Sequence, residues 1–128
     1  MGVPLTAVTD QIAREQRVRQ YYQRVDAHDL TGLLDLFASD AVYHRPGYAP
    51  LVGRESLKRF YGEERAIREG SHSVSAAVLD GDRAAVHGEF HGVLKDGRAV
   101  SLRFADFFVF NDQGFFQRRD TFFFAPMV

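Results

Sequence analysis

The sequence predicts an α+β domain in which three helices precede an antiparallel meander. Two observations carry that expectation. Apolar residues recur at helical spacing in the first half and alternate from Ser71 onward, and nine of the twelve phenylalanines lie between Phe104 and Phe124. Aromatic, alternating sequence at the back of a chain forms sheet, and amphipathic sequence at the front forms the helices that cover it.

Val18, Tyr21, Tyr22 and Val25 stand at i, i+3, i+4 and i+7, with Val8 and Ile12 extending the stripe backwards, so the opening segment reads as the first helix. Pro4, Thr6, Thr9 and Asp10 supply its start signals. His28-Asp29 breaks the pattern, and Asp29 caps a short second helix carrying Leu30, Leu33, Leu34 and Phe37, which Ser39-Asp40 ends. Residues 41–45 read as a short strand, followed by a loop at Pro46, Gly47 and Pro50. After Gly53 a third helix presents Leu57, Phe60, Tyr61 and Ile67, with Gly70 as its C-terminal cap. Asp80-Gly81-Asp82, Lys95-Asp96-Gly97 and Asn111-Asp112-Gln113-Gly114 divide the remainder into four strands joined by hairpins, hence sequential and antiparallel.

The 128 residues suffice for one domain, 1–128, with a buried core. Sixteen basic and seventeen acidic residues leave a formal charge of −1, too little to attract polyanions, so no nucleic acid or membrane surface is expected as a partner. The absence of cysteine excludes disulfides, thiolate metal sites and cysteine nucleophiles. No stretch approaches the ~20 apolar residues of a membrane span. The N-terminus lacks the basic-then-apolar signal pattern, so a cytoplasmic location is expected.

The last two predicted strands are apolar on both faces. Phe104, Phe108 and Phe110 alternate with Ala105, Phe107 and Val109, and Phe122-Phe123-Phe124 put rings on both sides at once. The chain's own helices cover one face, and a homodimer joined through the sheet would cover the other.

Polar residues that share a strand face with aromatics are the candidates for chemistry. Asp106 has Phe104 and Phe108 as its same-face neighbours. Buried there without a cation, its carboxyl would stay protonated and donate a hydrogen bond; paired with an arginine, it would be a structural ion. His87, Glu89 and His91 fall at i, i+2 and i+4 on one face, readable as a pocket-lining acid/base set, a solvated surface or, least favoured, a metal site. Tyr43 and Arg45 share a face, with His44 opposite. In Arg118-Arg119-Asp120-Thr121 the register decides whether Arg119 and Thr121 or Arg118 and Asp120 face inward.

The chain resembles the SnoaL-like and ketosteroid-isomerase-like proteins of the NTF2-like superfamily over nearly its whole length. The resemblance rests on Tyr21-Tyr22-Gln23-Arg24-Val25-Asp26-Ala27-His28-Asp29, on Phe37-Ala38-Ser39-Asp40-Ala41-Val42-Tyr43, on Gly53-Arg54-Glu55-Ser56-Leu57 with Phe60-Tyr61, and on Arg119-Asp120-Thr121-Phe122-Phe123. It implies an NTF2-like cone: three N-terminal helices packed on a curved antiparallel sheet, a deep apolar pocket and usually a dimer. It places Tyr21 and Asp106 at the oxyanion-hole positions of ketosteroid isomerase, whose protonated aspartic acid is a known precedent. The isomerase's general base, an aspartate before a proline, is replaced here by Arg45 before Pro46, and an arginine cannot abstract a proton at neutral pH. In the limonene epoxide hydrolase branch an Arg and an Asp occupy the positions of Glu89 and His91, and Asp120 matches that branch's catalytic aspartate in local sequence.

These implications lead to an enzyme without cofactor or metal that performs enolate-type acid–base chemistry on an apolar oxygenated small molecule, such as a polyketide, terpenoid or steroid-like ketone. Tyr21 and Asp106 would stabilise the oxyanion, and His91 or Glu89 would act as base. Tyr43, Arg45, His87, Phe60, Phe104, Phe108 and Asp120 would contact the substrate, with Arg45 holding a carboxylate, phenolate or second carbonyl. The alternative is a non-catalytic binder of hydrophobic ligands, and an epoxide hydrolase ranks third.

Overall fold

A computed structural model describes residues 5–125, with side chains from residue 9 onward. Helix α1 spans Leu5–Asp26, α2 Leu30–Leu34 and α3 Arg54–Arg59, the last running into a wider π-turn at Phe60–Glu64. Strands β1 (Phe37–His44), β2 (Leu51–Val52), β3 (Ile67–Asp80), β4 (Arg83–Leu94), β5 (Ala99–Phe110) and β6 (Phe116–Phe123) form one sheet in the order β2-β1-β6-β5-β4-β3. The sheet is unclosed, and α1 packs on β3.

The stripe predicted for α1 is its buried face, since Val18, Tyr21, Tyr22 and Val25 are all nearly inaccessible. Ile12, expected on the same stripe, is 55 % exposed. Pro4 lies outside the described residues, as do the side chains of Thr6 and Val8. His28 adopts φ 57°, the left-handed conformation that ends α1, and the Asp29 side chain accepts from the Gly32 backbone N–H to open α2.

Three boundaries differ from the sequence reading. Phe37 begins β1 instead of ending α2, because it pairs with Phe116 and the Phe116 N–H donates to the Leu36 carbonyl. Ile67 and Gly70 belong to β3 and not to α3: the π-turn ends at Arg65 in extended backbone, and the chain enters the sheet opposite β4. Strand β1 lies parallel to β6, so the sheet is antiparallel everywhere except at that pair. The β1–β6 pairing joins segments about eighty residues apart, and local spacing carries no record of it.

From β3 to β6 the meander is as predicted, with turns at the three polar clusters. Its concave face carries Ala84, Val86, Phe90, Phe104, Phe108, Phe110 and Phe116, which meet Tyr21 and Tyr22 of α1, Leu33 and Leu34 of α2 and Leu57 of α3. Tyr21 alone makes edge-on contacts with Tyr22, Phe37, Tyr61, Phe108 and Phe116 at centroid distances of 5.0–6.3 Å. Each such pair adds about 0.5–1.5 kcal/mol beyond the area buried.

The sheet is irregular where β3 shifts register between Val74 and Ala76, opposite Gly88. A Cβ on Gly88 would stand 2.1 Å from the Ser73 carbonyl oxygen and 3.0 Å from the Phe104 ring, so only glycine lets the two strands approach this closely. Gly88→Ala is expected to destabilise the fold by about 1–3 kcal/mol, as overpacking does, read as a lower midpoint in urea. An unchanged midpoint would show that the strand relaxes around the methyl group.

Candidate functional site

The register left open by the sequence places Arg119 and Thr121 inside the cone, while Arg118 and Asp120 lie on the outer face. Asp106, Arg119 and Thr121 are the buried polar residues of the core. Arg119 Nη2 donates to Asp106 Oδ2 at 2.9 Å, Tyr22 donates to the same oxygen at 2.5 Å, and the Thr121 hydroxyl donates to Oδ1. Both carboxylate oxygens are therefore acceptors. The expectation of a protonated, donating Asp106 is corrected: it is the anion of a buried ion pair, because the register brings Arg119 onto the same face.

Four tyrosines surround this pair. Arg119 Nη1 donates to the Tyr61 hydroxyl at 3.0 Å, and the Tyr61 and Tyr21 hydroxyls are 2.7 Å apart. The Arg119 guanidinium carbon lies 4.2 Å from the Tyr21 ring centre and 4.5 Å from that of Tyr43. The Tyr43 and Thr121 hydroxyls are 3.2 Å apart; since the one Thr121 proton goes to Asp106, Tyr43 supplies the proton between them. Tyr21 thus reaches Tyr61, and it is Tyr22 that touches Asp106.

Burial raises the Tyr22 phenol far above its usual range, with the charge of Asp106 adding to the effect. Burial likewise pushes up Tyr21, and it takes Tyr61 to about 12. Burial opposes the charge on Arg119, yet Asp106 and the phenol oxygens outweigh it and hold the guanidinium above its ordinary value.

Beside this network the cone encloses a cavity of about 140 Å³. Its walls include Ile67, Phe90, Leu102, Phe104 and Phe123, and its polar lining consists of Arg45, His72, Arg119 and Thr121. Arg45 sits between the rings of Phe60 and Phe123, at 5.4 and 5.1 Å, and its Nη1 donates to the Tyr43 hydroxyl at 3.2 Å. His72 and Asp26 form a second pair. Asp26 Oδ2 accepts from the His72 backbone N–H at 2.8 Å, and Oδ1 lies 2.6 Å from His72 Nδ1. A carboxylate at the C-terminal end of α1 faces the negative pole of the helix, and these two donors offset that repulsion. In the neutral imidazole that gives its Nδ1–H to Asp26, Nε2 is the nitrogen that carries the lone pair.

The predicted site residues divide accordingly. Tyr21, Tyr43, Arg45, Phe60, Phe104, Phe108 and Asp106 face the interior; of these Arg45 and Phe104 line the cavity, and Phe60 and Phe108 pack behind it. His87, Glu89 and His91 do not belong to the pocket. They alternate with the buried Val86, Gly88 and Phe90 and therefore point outward, where His91 meets Ser101 and Glu89. Asp120 is also outside, paired with His44 and Arg118. Among the described residues no cluster of three or more His, Asp or Glu could hold a metal ion.

His72, Asp26, Tyr22, Tyr61 and Arg119 are members of the site that sequence reasoning did not select. The signal for His72 was its alternation with Gly70 and Val74 on the inner face; Asp26 and Tyr22 stood inside a quoted motif. A larger concavity, about 520 Å³, lies elsewhere. It is an open groove on the outer sheet face, lined by Val78, Ala85, Phe107, Arg118 and Phe122 among others.

Residues 18–118 match the family model of the SnoaL-like domain, and the chain belongs to that family. The fold agrees with that of an NTF2-like protein of unknown function from Burkholderia pseudomallei (TM-score 0.79, 22 % identity, 87 % of this chain and 90 % of that one). It is also similar to the epoxide hydrolase/cyclase-like enzyme SalBIII of pyran ring formation in the polyether salinomycin (TM-score 0.79, 18 % identity, 91 % and 94 %). A candidate ketosteroid isomerase from Kribbella flavida shares the fold as well (TM-score 0.76, 22 % identity, 93 % and 83 %). In sequence, 47 residues are 40 % identical to the orange carotenoid-binding protein of Limnospira maxima, a match spanning 37 % of this chain but 15 % of that protein. No helix among the described residues is long and apolar enough to cross a membrane.

Two outcomes follow from the buried network. Asp106→Asn leaves Arg119 as an uncompensated buried cation and is expected to cost roughly 3–5 kcal/mol, measured by urea denaturation; a loss below about 1 kcal/mol would mean the pair is solvated, as exposed pairs are. Folding raises Tyr21, Tyr22 and Tyr61 above the unfolded value of about 10, so the unfolded chain releases these protons first. Stability is therefore complete below pH ~10 and falls as the pH rises toward and through about 12. Phenolate absorbance at pH 11 should be smaller for the native than for the denatured protein, and equal absorbance would contradict the burial of the phenols.

Proposed function

We propose that the protein is an acid–base enzyme, independent of cofactors, that moves a proton next to the carbonyl of an apolar oxygenated small molecule. The observation that carries this reading is the His72–Asp26 pair on the wall of a largely apolar cavity whose other charged groups, Arg45 and Arg119, are hydrogen-bond donors. Asp26 holds the imidazole in the tautomer that leaves Nε2 free, and it stabilises the imidazolium once His72 takes a proton. Arg45 and Arg119, which also line the cavity, supply donors to substrate oxygens that carry or develop negative charge. The structural neighbours named for epoxide hydrolase/cyclase-like and ketosteroid isomerase functions support a small-molecule pocket; at 18 and 22 % identity they share the fold alone. Isomerisation, cyclisation and dehydration all pass through the enolate step described.

The base is His72 in this reading, since His91 and Glu89 lie on the other side of the sheet. An epoxide hydrolase has less support, because Asp120 lies outside with them. A non-catalytic ligand binder is the second reading, favoured by the partial match to a carotenoid-binding protein. The reading includes a second copy of the chain on the outer sheet face, supported by Val78, Phe107 and Phe122, which are 66, 48 and 54 % exposed there.

The test is hydrogen–deuterium exchange α to the carbonyl of single-ring enolisable ketones, followed by NMR. The native protein should accelerate exchange, and His72→Gln should reduce it by about 100-fold or more, with Asp26→Asn reducing it less and both variants still binding the ketone. Binding without exchange across the panel would select the non-catalytic reading.

A further inference from the structure

The cavity's charge and size define its ligand more narrowly. Two guanidinium groups, Arg45 and Arg119, line it, and both flank Tyr43. Only one carboxylate, Asp106, sits among them, and Arg119 and Tyr22 both donate to it. Among the described residues no carboxylate lies within ion-pair distance of Arg45, whose one hydrogen bond goes to the neutral Tyr43 hydroxyl. The Nε of Arg45 and the Nε of Arg119 are both buried and without a hydrogen-bond partner. A buried N–H of a charged group left unpaired is costly, and two of them on residues that line one cavity suit that cavity to an anion. The Asp26 carboxylate, the other acid near the cavity, is engaged by the ring and backbone N–H of His72 and not by Arg45.

The volume of about 140 Å³ sets the other limit. An apolar cavity of roughly 150 Å³ accommodates benzene, whereas drug-sized ligands occupy about 300–1,000 Å³. A four-ring skeleton would extend beyond the space between Phe90, Phe104 and Phe123.

We infer that the ligand is a single-ring or short branched organic acid, its carboxylate held by Arg45 with the Arg119 Nε–H and its apolar body against Phe90, Phe104 and Leu102. This deepens the proposed function and rests on the same cavity. The carboxylate would be the anchor, and a second functional group of the same molecule would face His72. The arginine that removes the expected catalytic carboxylate from position 45 thereby becomes the specificity-determining residue.

The experiment is calorimetric titration with cyclohexanecarboxylate, benzoate and their methyl esters at neutral pH and low salt. Cyclohexanecarboxylate or benzoate should bind at least tenfold more tightly than its ester and weaken as salt is raised. Arg45→Met keeps an apolar stem without charge and should abolish that preference while leaving ester binding in place; Arg45→Lys should restore part of it. Thermal melts establish that each variant is folded. Equal affinity for acid and ester in the native protein, or an acid preference that survives Arg45→Met, would overturn the inference. The proposed acid–base function is separated by readout: acid preference is followed through Arg45→Met by calorimetry, and exchange through His72→Gln by NMR. Arg45-dependent acid binding without any His72-dependent exchange would remove the catalytic reading alone. His72-dependent exchange of neutral ketones without acid preference would remove the anion seat alone.

Discussion

The buried contact between Asp106 and Arg119 organises the interior, and its physics is that of an ion pair sustained by the hydrogen bonds around it. Removing both charges from water is expensive, and a single salt bridge does not offset that cost unless the remaining donors and acceptors are also engaged. Here Tyr22 and Thr121 fill the other positions on the carboxylate, and Tyr61 takes a guanidinium N–H. Those partners come from α1, from β6 and from the π-turn after α3, so the pair ties the helical layer to the sheet. It also discriminates against register error. A slip of one residue in β6 would bring Arg118 and Asp120 inward and leave Asp106 facing the wrong side chains.

Polar groups inside the cone therefore separate into two kinds. Asp106 and the phenols around it are engaged with one another, and their work is structural. Arg45 stands at the cavity surface with its Nε–H unengaged, and His72 lines the same cavity with Nδ1 held by Asp26, which is the condition for acting on a ligand. The distinction lies in the hydrogen-bond count and not in residue type, since Asp106 and Asp26 are both acids on the inner side and differ only in what surrounds them.

Much of the architecture was legible because it depends on local periodicity. The alternation from Ser71 onward and the three polar turns are properties of short segments, and they correspond to β3 through β6. The α1 stripe from Val18 to Val25 was legible for the same reason. Phe37 and Ile67 were misassigned because each continues a helical spacing, while strand pairing with Phe116 and Leu94 holds them in the sheet. The site was legible in part. Asp106 stood out as a carboxylate between two phenylalanines, and Tyr43 with Arg45 shared a face. His87, Glu89 and His91 were correctly placed on one face, but spacing alone does not say which face the helices cover.

What the sequence by itself determined is the sequence of helices and strands, the family and the existence of an aromatic interior with a carboxylate in it, all encoded in periods of two and 3.6 and in turn residues. Tertiary structure decided the identity of that carboxylate's partner, the union of Asp26 with His72 across forty-six positions and the isolation of Arg45. The physical reason is that charge compensation is a property of proximity. Whether a buried ionisable group is structural or chemically available depends on how many neighbours satisfy it, and those neighbours arrive from distant parts of the chain only when the sheet closes over the helices.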